Sequence, residues 1–162
     1  MSKIIEVYGG CEVTVDSEDY PILSRYSWHL DAKGYVVTNF CGTTVRIHRL
    51  ILNPSKDDQV DHKNRNKLDN QKGNLRLCDN TLNQANTVKR EYVNGRKTSS
   101  KYKGVHWRKD VKKWNARLSH KNKRIALGFF DSEEDAARAY NEKALEVWGE
   151  FANINNIEGE EA

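Results

Sequence analysis

Short runs of alternating apolar and polar residues fill the first part of the chain. In residues 4–15, β-branched residues flank a Gly-Gly pair, which predicts a hairpin. Two more strand-like runs, 34–40 and 43–51, are joined by Cys41-Gly42, and Asn53-Pro54 closes the second run. This pattern predicts a small antiparallel sheet near the N-terminus.

A polar stretch follows at residues 60–74, and beyond it the pattern indicates one strand and one helix. Residues 74–78 alternate between polar and apolar positions, as a short strand does. Residues 79–81 (Asp-Asn-Thr) are good helix N-caps, and the apolar residues within 82–90 recur at helical spacing. We therefore expect a strand over 74–78 and a short helix over 82–90.

Three strand candidates fill residues 102–130, and an amphipathic helix follows them. Ser132 and Asp135 resemble a capping box at the start of this helix, and Gly149 is a plausible end. Apolar residues recur on one face of the helix, namely Ala136, Tyr140, Ala144, Val147 and Trp148. The pattern predicts a three-stranded antiparallel sheet packed on one helix, and an α+β fold for the whole chain.

Composition changes this picture mainly through the distribution of charge. The chain has 162 residues, 37% of them apolar, and a mean hydropathy of −0.86, so any core must be small or divided. Residues 89–124 contain 14 Lys/Arg against 2 Asp/Glu, a net charge of +12, whereas residues 125–162 contain 2 against 10. The basic block indicates a polyanionic partner, although a solvated face or a disordered linker has the same composition.

The cysteines and the absence of long apolar runs indicate where the protein works. Cys11, Cys41 and Cys78 lie far apart and form no CxxC pair, which argues against a disulfide framework and a structural zinc site. No run of about 18 apolar residues occurs, and no leader precedes the first strand. We expect a soluble, cytoplasmic protein with reduced thiols and no membrane partner.

The polar stretch 60–74 contains the residues with the clearest chemistry. Metal-assisted phosphodiester hydrolysis needs oxygen ligands for a hard cation and a base that takes a proton from water. Asp61 and His62 can divide these roles, but neighbouring side chains on a strand point to opposite faces. Both serve one site only where the strand is twisted or its end is irregular. Asn66 and Asn70 are predicted to form turns.

Five segments resemble the HNH nuclease superfamily, which has the ββα-metal fold. They are IHRLIL (47–52), VDH (60–62), NKLDN (66–70), NLRLC (74–78) and a helical Asn83-x-x-Asn86 pair. The resemblance is closest to the phage and intron homing branch, whose last motif position is Asn. It implies that Asp61 and Asn83 bind a divalent metal, Mg²⁺ or Mn²⁺, that His62 is the general base, and that Asn74 fixes the loop.

Each of these residues also has a simpler interpretation. Asp61 can cap a turn, His62 can be a packed and hydrogen-bonded histidine, and Asn83 can bond its own helix backbone. His48 has three interpretations, as a third metal ligand, a phosphate contact or a core histidine. We favour a structural or phosphate-contact role for His48, on the strand predicted to lead into the motif.

Four segments of residues 101–155 resemble the AP2/ERF DNA-binding domain, which is a three-stranded sheet packed on one helix. They are KYKGVHWRK, KWNARL, LGFFDSEEDAARAYNEKAL and GEFANIN. The resemblance implies that the sheet enters the major groove of duplex DNA, a geometry that β-sheet readers use. The positions that match the family's DNA contacts are Lys103, His106, Arg108, Arg117, Ser119 and Arg124.

Departures from the AP2/ERF pattern limit what the resemblance implies. The family usually has Arg where this chain has Lys103 and His106, an acidic residue at Arg117, and Trp at Ala126. A lysine is a point charge and cannot reproduce the bidentate guanine contact of an arginine. DNA binding is therefore expected, but the family's preferred target sequence is not.

These patterns predict four segments: a nuclease domain with N-terminal strands (1–90), a basic linker (91–100), an AP2/ERF-like domain (101–157) and an acidic tail (158–162). The implied function is a site-directed, homing-type DNA endonuclease that nicks or cuts duplex DNA with one divalent metal. The alternative is a non-catalytic DNA-binding or regulatory protein with a degenerate nuclease domain. No protein partner is evident, and a monomer or weak dimer is expected.

Overall fold

Two compact units make up the chain, the first from Met1 to Asn83 and the second from Gln84 onwards. They are seen in a computed structural model that describes residues 1–157; the predicted acidic tail, 158–162, lies outside the described residues. Small antiparallel sheets and few helices make the architecture α+β, which confirms the predicted fold class. No helix within residues 1–157 is both long and apolar enough to cross a membrane.

The first unit contains three small sheets and a core of aliphatic side chains. Its elements are β1 (Ser2–Val7), β2 (Cys11–Asp16), α1 (Tyr20–Leu23), β3 (His29–Leu30), β4 (Val36–Phe40), β5 (Thr43–Arg46), α2 (Ile47–Leu52), β6 (Gln59–His62) and β7 (Leu75–Cys78). Strands β1 and β2 are the hairpin predicted around the Gly-Gly pair, and β3, β4 and β5 form one sheet. The buried core residues are Ile5, Val7, Val13, Val15, Leu23, Trp28, Val36 and Ile47.

Residues 47–52 form α2 and do not continue the strand predicted over 43–51. Ile47 and His48 are buried and Ile51 is half-buried, a spacing that suits a helix packed on the core. Asn53 ends the helix in the left-handed conformation, with φ of 44°. The strand prediction was wrong because the period of a short apolar run does not distinguish a buried strand from a buried helix.

Helix α3 (Asn80–Ala85) follows β7 and is shorter than the helix predicted over 82–90. Asp79 caps its first turn, because its carboxylate accepts a hydrogen bond of 2.8 Å from the amide three residues on. Val88 was expected on the buried face but is 62% exposed. The Asn-Thr pair that follows the helix has low helix propensity, which is consistent with its early end.

The second unit contains the predicted three-stranded sheet and its helix. Its elements are β8 (Tyr92–Val93), β9 (Arg96–Lys97), β10 (Val105–Arg108), β11 (Lys113–His120), β12 (Lys123–Phe130), α4 (Glu133–Trp148) and a 3₁₀ turn (Gly149–Phe151). Ser132 is the N-cap, since its Oγ accepts a hydrogen bond of 3.2 Å from the Asp135 amide, which is one of the two bonds of a capping box, and Gly149 ends the helix. A core of small and aromatic residues lies between sheet and helix.

Residues 91–100 are not an irregular segment, as the sequence suggested, but contain the hairpin β8–β9. Asn94 and Gly95 form its turn with φ of 51° and 74°, the left-handed pair that a type I′ turn requires. Two-residue strands have no period to detect, so the prediction rested on composition alone and missed the hairpin.

Candidate active site and nucleic-acid interface

A buried ion pair joins the two strands of the β6–β7 hairpin. Asp61 lies opposite Arg76 in the register, and Oδ2 of Asp61 accepts hydrogen bonds from Arg76 Nε at 3.0 Å and Nη2 at 2.8 Å. Both side chains are 8% exposed. A carboxylate removed from water needs such a partner, and Arg76 provides it inside the unit.

His62 is held in one tautomer by a buried asparagine. Asn70 Nδ2 donates to the Lys67 carbonyl at 2.9 Å, which directs Asn70 Oδ1 towards His62 Nε2, 3.1 Å away. An amide oxygen can only accept a hydrogen bond, so Nε2 carries the proton and the lone pair lies on Nδ1. The ring is therefore prepared to accept a proton at Nδ1.

Burial keeps His62 neutral. Desolvation lowers the pKa of His62, and the hydrogen bond to Asn70 and the nearby Asp61 carboxylate oppose this effect only in part. A neutral imidazole at pH 7 is the protonation state that a general base needs.

The loop between β6 and β7 is fixed by main-chain bonds to the N-terminal hairpin. The Thr14 amide donates to the Leu68 carbonyl at 2.8 Å, and the Asn70 amide donates to the Thr14 carbonyl at 2.8 Å. Asn70 is fully buried. The sequence predicted only a turn at Asn70, so its bond to His62 was missed; its place in the NKLDN segment was the one signal that could have indicated more.

Asn74 closes the same loop from its other end. Its Oδ1 accepts a hydrogen bond of 3.0 Å from the Asn64 amide, and its Nδ2 donates to the Asp69 carbonyl at 2.7 Å. The first bond joins residues ten positions apart in the chain, and the second joins residues five positions apart. They are the contacts that a loop-fixing residue has to make.

His48 packs against His62 within a cluster of three rings. The ring centroids of His48 and His62 are 5.2 Å apart, with an angle of 88° between the ring planes. The ring centroid of Tyr35 lies 5.4 Å from that of His48. His48 is 4% exposed, and its Nδ1 has no hydrogen-bond partner within residues 1–157. Burial, followed by the nearby His62, lowers the pKa of His48 to about 3. His48 is thus a neutral ring on a helix, where the sequence predicted a strand.

A polar cleft of about 340 Å³ lies beside this cluster in the first unit. His48 and Asn83 line it together with the basic residues Arg46, Arg49 and Lys56. Asn83 Nδ2 donates to Gln59 Oε1 at 2.7 Å, so the amide oxygen of Asn83 is the atom that can accept a cation. Asp61 and His62 are not among the described residues that line the cleft; they lie on the adjoining hairpin.

Five of the six predicted DNA contacts lie on one face of the β10–β12 sheet. The register pairs Ser119 with Arg124 and puts Arg117 on the same face, opposite to the buried side chains that pack on α4. Arg117, Ser119 and Arg124 are exposed, and His106 and Arg108 share their face. We call these five residues the basic face. Arg108 is also paired with Asp110, at 2.6 Å.

Lys103 differs from the other five. Its ammonium group donates to the carbonyl oxygens of Ala85 at 2.6 Å and Thr87 at 2.7 Å. These bonds tie it to the end of a helix, where carbonyl groups lack intrahelical partners. The structure therefore separates Lys103 from the basic face, in contrast to the sequence prediction.

The amino-acid sequence of the chain has a match among known proteins. An uncharacterized HNH endonuclease of Acanthamoeba polyphaga mimivirus is 35% identical over a 157-residue alignment, which covers 89% of this chain and 74% of the viral protein. The chain belongs to the HNH endonuclease family.

This HNH endonuclease is also similar in part to plant regulators. Two AP2-like ethylene-responsive transcription factors of Arabidopsis thaliana are 40% identical over 57 residues and 34% identical over 73 residues. These matches cover 35% and 45% of the HNH endonuclease but only 13% and 15% of the plant proteins. No protein-family model and no solved structure matches the chain.

The donor atoms of the HNH endonuclease suit a hard cation better than zinc. Residues 1–157 contain no group of three or more His, Cys, Asp or Glu side chains that could hold a metal ion. Asp61 nevertheless offers a carboxylate on β6. Asn83 offers an amide oxygen from helix α3 and is hydrogen-bonded to Gln59 of the same strand. Carboxylate and amide oxygens are the donor types that a hard divalent cation takes, and the Asp61 carboxylate also accepts the hydrogen bonds from Arg76.

Proposed function

We propose that this HNH endonuclease hydrolyses phosphodiester bonds in duplex DNA with the help of a divalent metal, Mg²⁺ or Mn²⁺. The observation that supports this most directly is the state of His62, which is neutral, buried and held in one tautomer by Asn70. A packed structural histidine needs a hydrogen bond but has no need of a defined lone pair. A general base needs both.

Asp61 and Asn83 would hold the metal. When bound, such a cation stabilises the negative charge that develops on the phosphate and on the leaving oxygen. Arg76 holds the Asp61 carboxylate in a fixed orientation, and Gln59 orients the Asn83 amide.

His62 would take the proton from the attacking water at Nδ1. Asn70 fixes the ring from the opposite nitrogen, and His48 limits its movement by packing edge-on against it. Asn74 keeps the loop closed, so that Asn70 stays in place. In this scheme Asn70, His48 and Asn74 are positioning residues and His62 is the catalytic residue.

We further propose that the basic face of the second unit binds the DNA and makes the enzyme site-directed; the resemblance to the phage and intron branch favours the homing type. Arg117, Ser119 and Arg124 are exposed side chains on one sheet face, a geometry that can contact phosphates and bases in the major groove. Binding through one unit raises the effective concentration of the other at the same DNA. One site per chain makes a single-strand nick the simplest product.

The test compares wild-type protein with His62→Ala and with the control His29→Ala, which removes a half-buried histidine of the same unit. The DNA is a genomic library, cut in Mg²⁺ or Mn²⁺ and mapped on both strands. We expect nicks at defined sites, loss of cleavage in EDTA, and a loss of about 10²- to 10⁴-fold for His62→Ala with DNA binding retained.

The control should cut at the wild-type rate. Selective DNA binding without cleavage in either metal would instead indicate a non-catalytic DNA-binding protein. If His62→Ala and His29→Ala lost the same amount of activity, the role assigned to His62 would be wrong.

A further inference from the structure

The hairpin β8–β9 lies outside the basic face and has a composition of its own. We call residues 90–98 the basic arm. Its charged side chains Arg90, Arg96 and Lys97 are exposed, and so are Tyr92 at 58% and Val93 at 49%. An element with no buried side chains contributes little to a core, so stability of the unit does not explain its composition.

The fold nevertheless holds the basic arm in a defined conformation. Its turn has two left-handed residues, and its ends are joined by a hydrogen bond of 2.9 Å from the Thr98 amide to the Glu91 carbonyl. Just beyond the arm, Ser99 Oγ accepts a hydrogen bond of 2.9 Å from the Trp107 amide. A hairpin of two-residue strands is not stable alone in water, and this bond to the sheet helps to order it.

The bond from the Trp107 amide to Ser99 fixes where the basic arm ends. Trp107 belongs to β10, an edge strand of the sheet, and its neighbours His106 and Arg108 belong to the basic face. Lys89, immediately before the arm, is close enough for its charge, with those of Arg117 and Arg108, to add to the effect of burial in lowering the pKa of His106. The base of the arm therefore lies beside the basic face.

The charge of residues 89–101 indicates which kind of partner the basic arm binds. Residues 89–101 contain five Lys/Arg and one Asp/Glu. The acidic residue, Glu91, lies 3.6 Å from Lys97, but both side chains are about two-thirds exposed. An exposed pair of this kind contributes little and leaves the segment strongly basic. A row of cations that continues a basic face suits a polyanion with regularly spaced charges.

We propose that the basic arm binds the phosphate backbone of duplex DNA and extends the footprint of the basic face beyond the edge strand β10. This inference rests on the DNA binding proposed above. The contact is to phosphates rather than bases, so it strengthens binding to every sequence by the same amount.

The test measures the affinity of the full chain for a random-sequence duplex without divalent metal, by fluorescence anisotropy, between 50 and 300 mM salt. The arm variant is Arg96→Gln with Lys97→Gln. Arg96 and Lys97 are neighbours on β9 and point to opposite faces, so the variant removes at least one phosphate contact. One lost contact should lower the slope of log affinity against log salt by about 0.9, which is about 8-fold in affinity at 0.1 M salt. The circular dichroism spectrum should not change.

Two further double variants make the result specific. Arg138→Gln with Lys143→Gln removes the same charge from α4, on the other side of the sheet, and should leave the slope unchanged. Arg117→Gln with Arg124→Gln removes charge from the basic face and should lower the slope. An arm variant with the wild-type slope, beside a basic-face variant with a reduced slope, would overturn the arm inference and leave the proposed DNA binding intact.

Two other outcomes would contradict the proposed DNA-binding surface or the specific role of the basic arm. If neither the arm nor the basic-face variant changed the slope, the proposed DNA-binding surface would itself be wrong. If the α4 variant lowered the slope as much as the arm variant, net charge alone would explain the binding, and the arm would have no specific role.

Discussion

The two units use arginine in opposite ways. In the first unit, Arg76 is buried, and its Nε and Nη2 atoms both donate to one carboxylate oxygen of Asp61. In the second unit, Arg117 and Arg124 are exposed on a sheet face. Arg76 pairs with a buried carboxylate inside its own unit, whereas Arg117 and Arg124 are exposed to a binding partner.

The difference predicts how each unit responds to substitution. A buried charge that loses its partner keeps its full desolvation cost, so changes in the first unit should be large and specific to one residue. Exposed charges are screened and nearly independent, so changes in the second unit should be small, additive and dependent on salt. Each prediction below tests one side of this contrast.

The largest effect is expected at Arg76. In Arg76→Met the Asp61 carboxylate remains buried without its arginine, and we expect the free energy of opening of the β6–β7 hairpin to fall by about 3–5 kcal/mol. Hydrogen exchange of the β6 and β7 amides measures this quantity. The double variant Asp61→Asn with Arg76→Met should recover much of the loss, and Arg25→Met, at an exposed arginine, should stay within about 0.5 kcal/mol. No recovery in the double variant would contradict the role of the ion pair.

The second effect concerns Asn70 and catalysis. Asn70→Ala removes the acceptor that fixes the His62 tautomer, and we expect cleavage to fall about 10- to 100-fold, the range seen for partners that orient functional histidines. DNA affinity should not change. Asn66→Ala is the matched control, because Asn66 is exposed and forms only local hydrogen bonds in the same loop. Equal losses in both variants would mean that Asn70 only shapes the loop.

The third effect is a dependence of stability on acid. The pKa of His48 is about 3 in the folded chain, against an ordinary value of 6.5. Between these values the unfolded chain binds a proton and the folded chain does not, so stability falls as the pH decreases below 6.5. His48 alone should remove about 2 kcal/mol between pH 7 and pH 5. His48→Phe keeps a ring in place and should remove that part of the pH dependence, measured by urea unfolding at both pH values; an unchanged dependence would contradict the burial argument.

The smallest effect on stability is expected at Arg124. Arg124→Gln should change the free energy of unfolding by less than about 0.5 kcal/mol, since the side chain is exposed. It should lower the salt slope of DNA binding by about 1. Arg124→Lys keeps the charge and should restore the slope if the contact is to a phosphate. If Lys restored nothing, the contact would require the planar guanidinium, as a bidentate contact to a base does.

The sequence predicted the second unit better than the first, because its elements depend on near neighbours. Strand β11 alternates between buried and exposed positions over residues 116–119, and two left-handed residues, Lys121 and Asn122, make the turn into β12. The start of α4 is set by Ser132 and Asp135, three residues apart. Each of these signals lies within a few residues of the element it defines.

The first unit contains the interactions that the sequence could not predict. His48 lies on a helix and packs against His62, but a six-residue apolar run is equally compatible with a strand. Asn70 depends on Thr14, which is 56 residues earlier in the chain. Asp61 was expected to be a ligand, but its buried pairing with Arg76 follows from the β6–β7 register, which no local pattern specifies.

The link between Thr14 and the loop that carries Asn70 uses only main-chain atoms. Its two bonds join the Thr14 amide to Leu68 and the Thr14 carbonyl to Asn70. Nineteen of the twenty common amino acids have both groups, and proline alone lacks the amide hydrogen. The side chain at position 14 can therefore change while the main-chain bonds that hold the loop around the proposed base remain. A residue that supports catalysis in this way need not be conserved.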